Sequence, residues 1–225
     1  YHLGEGYAFL GQNTDSDFLF NGNNLTNNYD FDNYLKRLSY KFKNENLEYG
    51  GYTILKNKKV CIAMDVGSTP NYNYTRDYQS GALSFEIISN KKKFISNSGY
   101  YKKNNSKLNQ LSKSSAAQST LIIDDNSSCK FKKINNEWLI KKGVKILKKN
   151  IIFEKNYWKI SASHDGYIKK YNSIHERNIE FFPEQMVFIG NDKIIKTKTN
   201  RNYKFDIRFH IEPGIKLMKT QDNKT

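Results

Sequence analysis

From Tyr49 onward, short runs of β-branched and aromatic residues alternate with clusters of Gly, Asn, Asp and Ser. That texture predicts strands joined by turns. Runs fit at Gly51–Leu55, Lys59–Met64, Ala82–Ile88, Lys93–Asn97, Ser119–Asp124, Cys129–Ile134, Val144–Phe153, Trp158–Ser163, His175–Phe181, Met186–Lys196, Lys204–Ile211 and Ile215–Met218, about twelve strands. Lys56-Asn57-Lys58, Ser89-Asn90-Lys91, Glu154-Lys155-Asn156 and Pro183-Glu184-Gln185 read as hairpin turns, so successive strands pair antiparallel. Along Phe205–Ile211 apolar and polar residues alternate, which predicts one buried face and an opposite face shared by Asp206, Arg208 and His210. No segment after residue 47 sustains an amphipathic helix. The predicted fold class is all-β, an antiparallel β-sandwich.

Two stretches break this rhythm. Tyr1 to Leu47 is rich in Asn, Asp and Tyr and reads as a loop-rich linker, with a short helix over Asp32–Phe42. Residues 48–225 then form the β-sandwich domain. Residues 100–118 make a polar excursion longer than a structural turn needs, and such loops carry function or disorder.

Length and composition agree with one sandwich. The 225 residues suffice for one large core, and 14% aromatic residues are too many for a disordered tail. No apolar run is long enough to span a membrane as a helix, and no signal peptide opens the chain. A start at Tyr1 rather than Met reads as a segment of a longer chain. The formal charge of +15 arises from 37 Lys and Arg against 22 Asp and Glu. Five of the cations are Arg, at positions 37, 76, 177, 201 and 208, and 32 are Lys. The codon usage of an AT-rich genome and a polyanion-binding surface both account for this excess. Nucleic-acid binding rests on charge alone, because Arg forks and basic-aromatic recognition motifs are missing. Cys61 and Cys129 fall in predicted strands and read as buried thiols, neither a disulfide framework nor a zinc knuckle.

The densest group of titratable residues is Ser163-His164-Asp165-Gly166-Tyr167, followed by His175-Glu176-Arg177. His164 and Asp165 either act as base, acid or saccharide contacts, or His164 caps a strand end while Asp165-Gly166 makes the turn. On a strand, His175 and Arg177 share a face, so Arg177 has the chemistry to hold an anion near His175.

Five pieces in order then resemble the heparinase II/III family in its C-terminal β-rich domain. They are Gly81-Ala82-Leu83-Ser84-Phe85-Glu86, Phe94-Ile95-Ser96-Asn97-Ser98-Gly99, Ala117-Gln118-Ser119-Thr120-Leu121, His164–Tyr167 with His175–Arg177, and Arg208-Phe209-His210-Ile211-Glu212-Pro213. The resemblance implies a polysaccharide lyase that cleaves beside a uronic acid by β-elimination. It also implies a missing N-terminal α/α-toroid domain that supplies the principal Tyr, with an acidic polysaccharide as partner and the bacterial cell envelope or periplasm as location. Many members carry His-x-His-x-Asp before the Leu-Ser-Phe-Glu strand, where this chain has Asp77, Gln79 and Gly81, and a further family histidine is here Gln118. Gln is a poor zinc ligand, so no metal and no cofactor are expected. The catalytic candidates are His164, Arg177, Gln79 and Gln118. The saccharide-contact candidates are Arg76, Tyr78, Asp165, Tyr167 and His175. Loss of the histidines also fits a non-catalytic carbohydrate-binding or structural sandwich.

Overall fold

The computed structural model describes residues 48–57, 59–90, 92–101, 106–197 and 202–218. Its largest sheet is a meander of β1 (Glu48–Tyr49), β2 (Tyr52–Lys56), β3 (Val60–Asp65), β4 (Phe85–Ser89) and β5 (Lys92–Ile95). Each strand is antiparallel to the next. A second meander is formed by β9 (Ile146–Phe153), β10 (Trp158–His164), β11 (Ser173–Phe182) and β12 (Val187–Lys196). Between them in sequence lie β6 (Leu121–Ile123), which pairs with β13 (Phe205–Ile207), and the hairpin of β7 (Lys130–Ile134) and β8 (Glu137–Lys142).

The sandwich core follows from strand alternation. Val60, Ile62 and Met64 of β3, with Phe85 and Ile87 of β4, face Trp158, Ile160 and Ala162 of β10 and Ile179 and Phe181 of β11. Burying one such side chain contributes roughly 1.5–3 kcal/mol, so this layer dominates the fold's stability. A smaller apolar cluster of Ala82, Cys129, Ile140 and Val144, with Tyr78 and Phe131 against it, seats the β7–β8 hairpin.

The all-β class and antiparallel sandwich hold, and several local expectations are corrected. The segment 100–118 contains a helix, α1 (Lys107–Ser112), started by the Ser106 hydroxyl accepting the Asn109 N–H at 3.0 Å. A second short helix, α2 (Ile168–Tyr171), follows β10. The strand Glu137–Lys142 was not foreseen. Asn135 and Asn136, with φ of 47° and 64°, form the mirror-image turn that suits a two-residue hairpin. The predicted strand Lys204–Ile211 shrinks to Phe205–Ile207, and its apolar face is not buried, since Phe205, Ile207 and Phe209 are exposed. Ile215–Met218 is irregular chain. Cys61 and Cys129 are buried free thiols. The expected linker over Tyr1–Leu47 and helix over Asp32–Phe42 lie outside the described residues.

Candidate functional site

Three adjacent strands gather four polar side chains inside the second meander. His164 of β10 is the register partner of His175 of β11, and Arg177 of β11 is the partner of Asp192 of β12. The Gly166 N–H donates to His164 Nδ1 at 3.0 Å, which leaves Nε2 as the protonated nitrogen. Nε2 then donates to His175 Nδ1 at 3.2 Å, and His175 Nε2 donates to Asp192 Oδ1 at 2.6 Å. Arg177 completes the chain, with Nε on Asp192 Oδ1 at 2.8 Å and Nη2 on Oδ2 at 3.0 Å.

A second proton on either imidazole would remove an acceptor already in use. Burial, then the neighbouring His175 and Arg177, hold His164 well below the ordinary imidazole value. For His175, burial outweighs the opposing bond to Asp192. Burial alone would raise Asp192, but the bonds from His175 and Arg177 prevail and keep its carboxyl low. His164 is 1% exposed, and His175 and Arg177 are 0% exposed. The expected position of His164, His175 and Arg177 on a saccharide-facing wall is therefore corrected: strand alternation turns all three into the core.

Tyr167 is buried as well, its hydroxyl donating to Leu121 O at 2.7 Å. Asp165, half-buried, accepts the Lys145 N–H at 2.7 Å and ties the entry of β9 to the turn after β10. Gly166 is required in that turn, because a Cβ there would lie 2.7 Å from Val144 Cγ1 and 2.9 Å from Ser128 O.

The buried network reaches a second cluster through Arg177 Nη1, which donates to Leu83 O at 2.9 Å and to Ser119 O at 2.6 Å. Leu83 has φ +59°, a left-handed conformation unfavourable for a bulky residue. Arg177 on its carbonyl and Asp65 O on its N–H hold it there. Ser119 follows Gln118, whose Nε2 donates to Gln79 Oε1 at 2.9 Å and to Ser112 O at 3.3 Å. These bonds orient both amides. The Gln79 amide nitrogen and the Gln118 carbonyl oxygen are the remaining donor and acceptor ends of the pair. Exposure rises outward from buried Gln118 through half-buried Gln79 to exposed Asp77 and Arg76.

The loop carrying these residues is pinned by Lys113. Its buried ammonium donates to the carbonyls of Arg76 and Trp138 and lies over the rings of Tyr100 and Phe131. Desolvation lowers its pKa, with Asp77 and Glu137 opposing. Arg76 pairs with Glu137 at 2.9 Å. Tyr78, by contrast, turns its ring into the cluster beneath the hairpin rather than outward.

Sequence reasoning missed two members of this cluster, Lys113 and Asp65. A Cβ on Gly81 would lie 3.6 Å from both Asp65 Oδ2 and Gln118 Cγ, so carboxyl and amide converge there. Asp65 Oδ1 accepts the Gly67 N–H at 3.1 Å, and burial pushes the carboxyl up to about 7. An acid that interrupts the apolar strand Val60-Cys61-Ile62-Ala63-Met64-Asp65 was the available signal.

The model of the heparinase II/III-like C-terminal family matches residues 42–225. The chain belongs to this family. Two solved structures share the heparinase-like fold: the heparan sulfate lyase HepC from Pedobacter heparinus (14% identity, TM-score 0.56) and heparinase III, the BT4657 gene product (14%, TM-score 0.57). They match 80% and 81% of this chain, which spans only 26% and 27% of theirs. None of the curated proteins matches in sequence.

A zinc site of the heparinase II/III kind does not fit the residues present. Gln118 spends its amide nitrogen on Gln79 Oε1 and Ser112 O, neither Gln offers an imidazole nitrogen or a charge, and Gly81 offers no side-chain ligand. Among the described residues no three His, Cys, Asp or Glu side chains group to hold a metal ion.

Proposed function

We propose that this chain is the C-terminal wall of a polysaccharide lyase acting on a uronate-containing polysaccharide, with the opposite wall and the principal Tyr in an N-terminal helical domain. The carrying observation is the Gln79–Gln118 pair, oriented by its own hydrogen bonds and opening outward beside Arg76 and Asp77. In β-elimination a base removes the proton α to the uronate carboxylate, the bond from the β carbon to the glycosidic oxygen breaks, a carbon–carbon double bond forms, and that oxygen is protonated. Charge grows on the carboxylate as the proton leaves, so donors placed against it lower the barrier. The Gln79 amide and the Arg76 guanidinium are the donors on this wall. His164, His175 and Arg177 act from beneath as positioning residues, through Leu83 O and Ser119 O. Asp165 and Tyr167 hold the turn below them, and Tyr78 anchors the loop.

The test is an assay of the full-length protein on acidic polysaccharides, following the ultraviolet absorbance of unsaturated uronate ends. Gln79→Ala and Arg76→Ala are each expected to lower kcat/KM about ten-fold or more, the scale of one lost charge-directed hydrogen bond. Absorbance that never rises on any uronate polymer overturns the lyase reading. Neutral amides where relatives carry imidazoles favour one alternative, a carbohydrate-binding sandwich without catalysis. It predicts saturable polysaccharide binding, weakened by the same substitutions, with no new absorbance.

A further inference from the structure

The excess positive charge is not spread along the chain. The twenty residues from Lys130 to Lys149 hold eight lysines and one acid, Glu137, a net +7 out of the chain's +15. A uniform codon bias would leave a net charge of only one or two in a stretch of that length. These residues form the β7–β8 hairpin and the first half of β9. Lys130, Lys132, Lys133, Lys141, Lys145, Lys148 and Lys149 are all exposed; Lys149 is ion-paired with Glu48 at 2.6 Å, and strand alternation puts Lys130 and Lys132 on one face of the hairpin and Lys133 on the other.

Folding does not ask for this arrangement. Lys130 lies directly opposite Lys142 in the hairpin register, a like-charge pair that weakens strand pairing. Lysines do protect strand edges from unwanted pairing, and β9 is an edge strand. β12, the opposite edge of the same sheet, carries two lysines, Lys193 and Lys196, and β9 likewise two, Lys148 and Lys149. Edge protection of this sheet therefore accounts for two of the eight lysines and leaves the five of the hairpin, Lys130, Lys132, Lys133, Lys141 and Lys142, with Lys145 in the connection to β9.

The ribbon also has a fixed place relative to the candidate site. Its one acid, Glu137, is bound by Arg76, and Trp138 O accepts the Lys113 ammonium at 2.9 Å. The hairpin thus joins the loop that presents Asp77 and Gln79. A strand of six residues runs roughly 20 Å, several sugar rings rather than one. The stretch has no Arg fork, and its aromatic residues, Phe131 and Trp138, are half-buried. It is suited to read charge density along a polymer and lacks the exposed stacking surface that single-stranded nucleic acid requires.

We propose that residues 130–149 are a docking track for the acidic polysaccharide outside the cleft, holding the chain while a uronate enters the Gln79–Gln118 cluster. The proposal rests on the lyase reading for its partner and is separable from it in experiment. The full-length protein is titrated with heparan sulfate, with alginate and with a DNA duplex of matched charge, across a salt series. The triple variant Lys130→Ser, Lys132→Ser, Lys148→Ser is compared with a control triple elsewhere on the surface, Lys155→Ser, Lys169→Ser, Lys193→Ser. Track removal is expected to raise Kd for at least one polysaccharide about ten-fold or more and to flatten the salt slope by about two to three. The control triple is expected to change Kd less than about two-fold. In the lyase assay the track variant raises KM and leaves kcat unchanged.

Equal losses from both triples overturn the track, as does duplex binding as tight as polysaccharide binding or no polysaccharide binding at all. Track-dependent binding without any unsaturated product sinks the lyase reading and leaves the track. Lyase activity with a KM indifferent to the track triple does the reverse.

Discussion

The two polar clusters of this protein differ in what their hydrogen bonds face. The His164–His175–Asp192–Arg177 chain is closed at both ends, by the Gly166 N–H and by the carbonyls of Leu83 and Ser119; its imidazoles and guanidinium are buried, and 5% of the Asp192 side chain is exposed at the edge strand. The Gln79–Gln118 cluster is closed on its inner side by Ser112 O and opens outward through Asp77 and Arg76. The first has the imidazoles and no access. The second has access, with a neutral amide at Gln79 beside the Arg76 guanidinium. Chemistry-bearing residue types mark where polar groups must be satisfied, and only the backbone decides whether a ligand can reach them.

The largest expected effect comes from breaking the closed cluster. Arg177→Met leaves the Asp192 carboxylate buried beside two neutral imidazoles and removes the donor from Leu83 O and Ser119 O. Removing one partner of a buried pair costs about 3–5 kcal/mol, so urea unfolding of Arg177→Met should lose that much. A loss below about 1 kcal/mol would mean that water reaches Asp192, and the contrast between the clusters would fail.

Legibility in the sequence divides along the same line. β11 was readable because its ten residues alternate strictly, with Ser173, His175, Arg177, Ile179 and Phe181 inward. Alternation put His175 and Arg177 on one face, but it does not say which face is buried. A polar pair followed by Ile179 and Phe181 on the same face was the clue that the face turns into the core. The Gln79–Gln118 pairing spans 39 residues and passes through α1, so no local period announces it. The β8 strand was hidden by Lys141-Lys142, although Asn135-Asn136 signalled its turn. Phe205–Ile207 shows the converse. Its alternation is clean, yet no layer covers its apolar face among the described residues.

A second, smaller effect separates the clusters by pH. Neutral His164 and His175 leave the folded protein with fewer bound protons than the unfolded chain below about pH 6.5. Their contribution is therefore present above that pH and is lost on acidification. Asp65, beside Gly81 and Gln118, behaves oppositely. Burial pushes its carboxyl up to about 7, so the folded state keeps a proton that the unfolded chain releases near pH 4. Stability falls as pH rises through that window, by on the order of 4 kcal/mol across the whole of it. Glu86, pushed up to about 7 by burial on the same sheet, adds in the same direction. Asp65→Asn should therefore gain melting temperature relative to wild type between pH 5 and pH 8. A difference that stays constant over this range would remove Asp65 from the groups that titrate with folding.

The smallest effect on stability is expected where the function is proposed to lie. Gln79→Ala removes one acceptor from the Gln118 amide, which keeps its bond to Ser112 O, and the vacated space lies at a half-buried position that water can fill. Such a loss costs about 0.5–1.5 kcal/mol, a few degrees in a thermal melt of a protein this size. Leu83 and Ser119 stay anchored by Arg177, so the strained turn should survive the substitution. A fall as large as that of Arg177→Met would show that the amide pair and the buried network pack as one cooperative unit. The outward cluster would then be part of the core's own support rather than a surface free to meet a sugar.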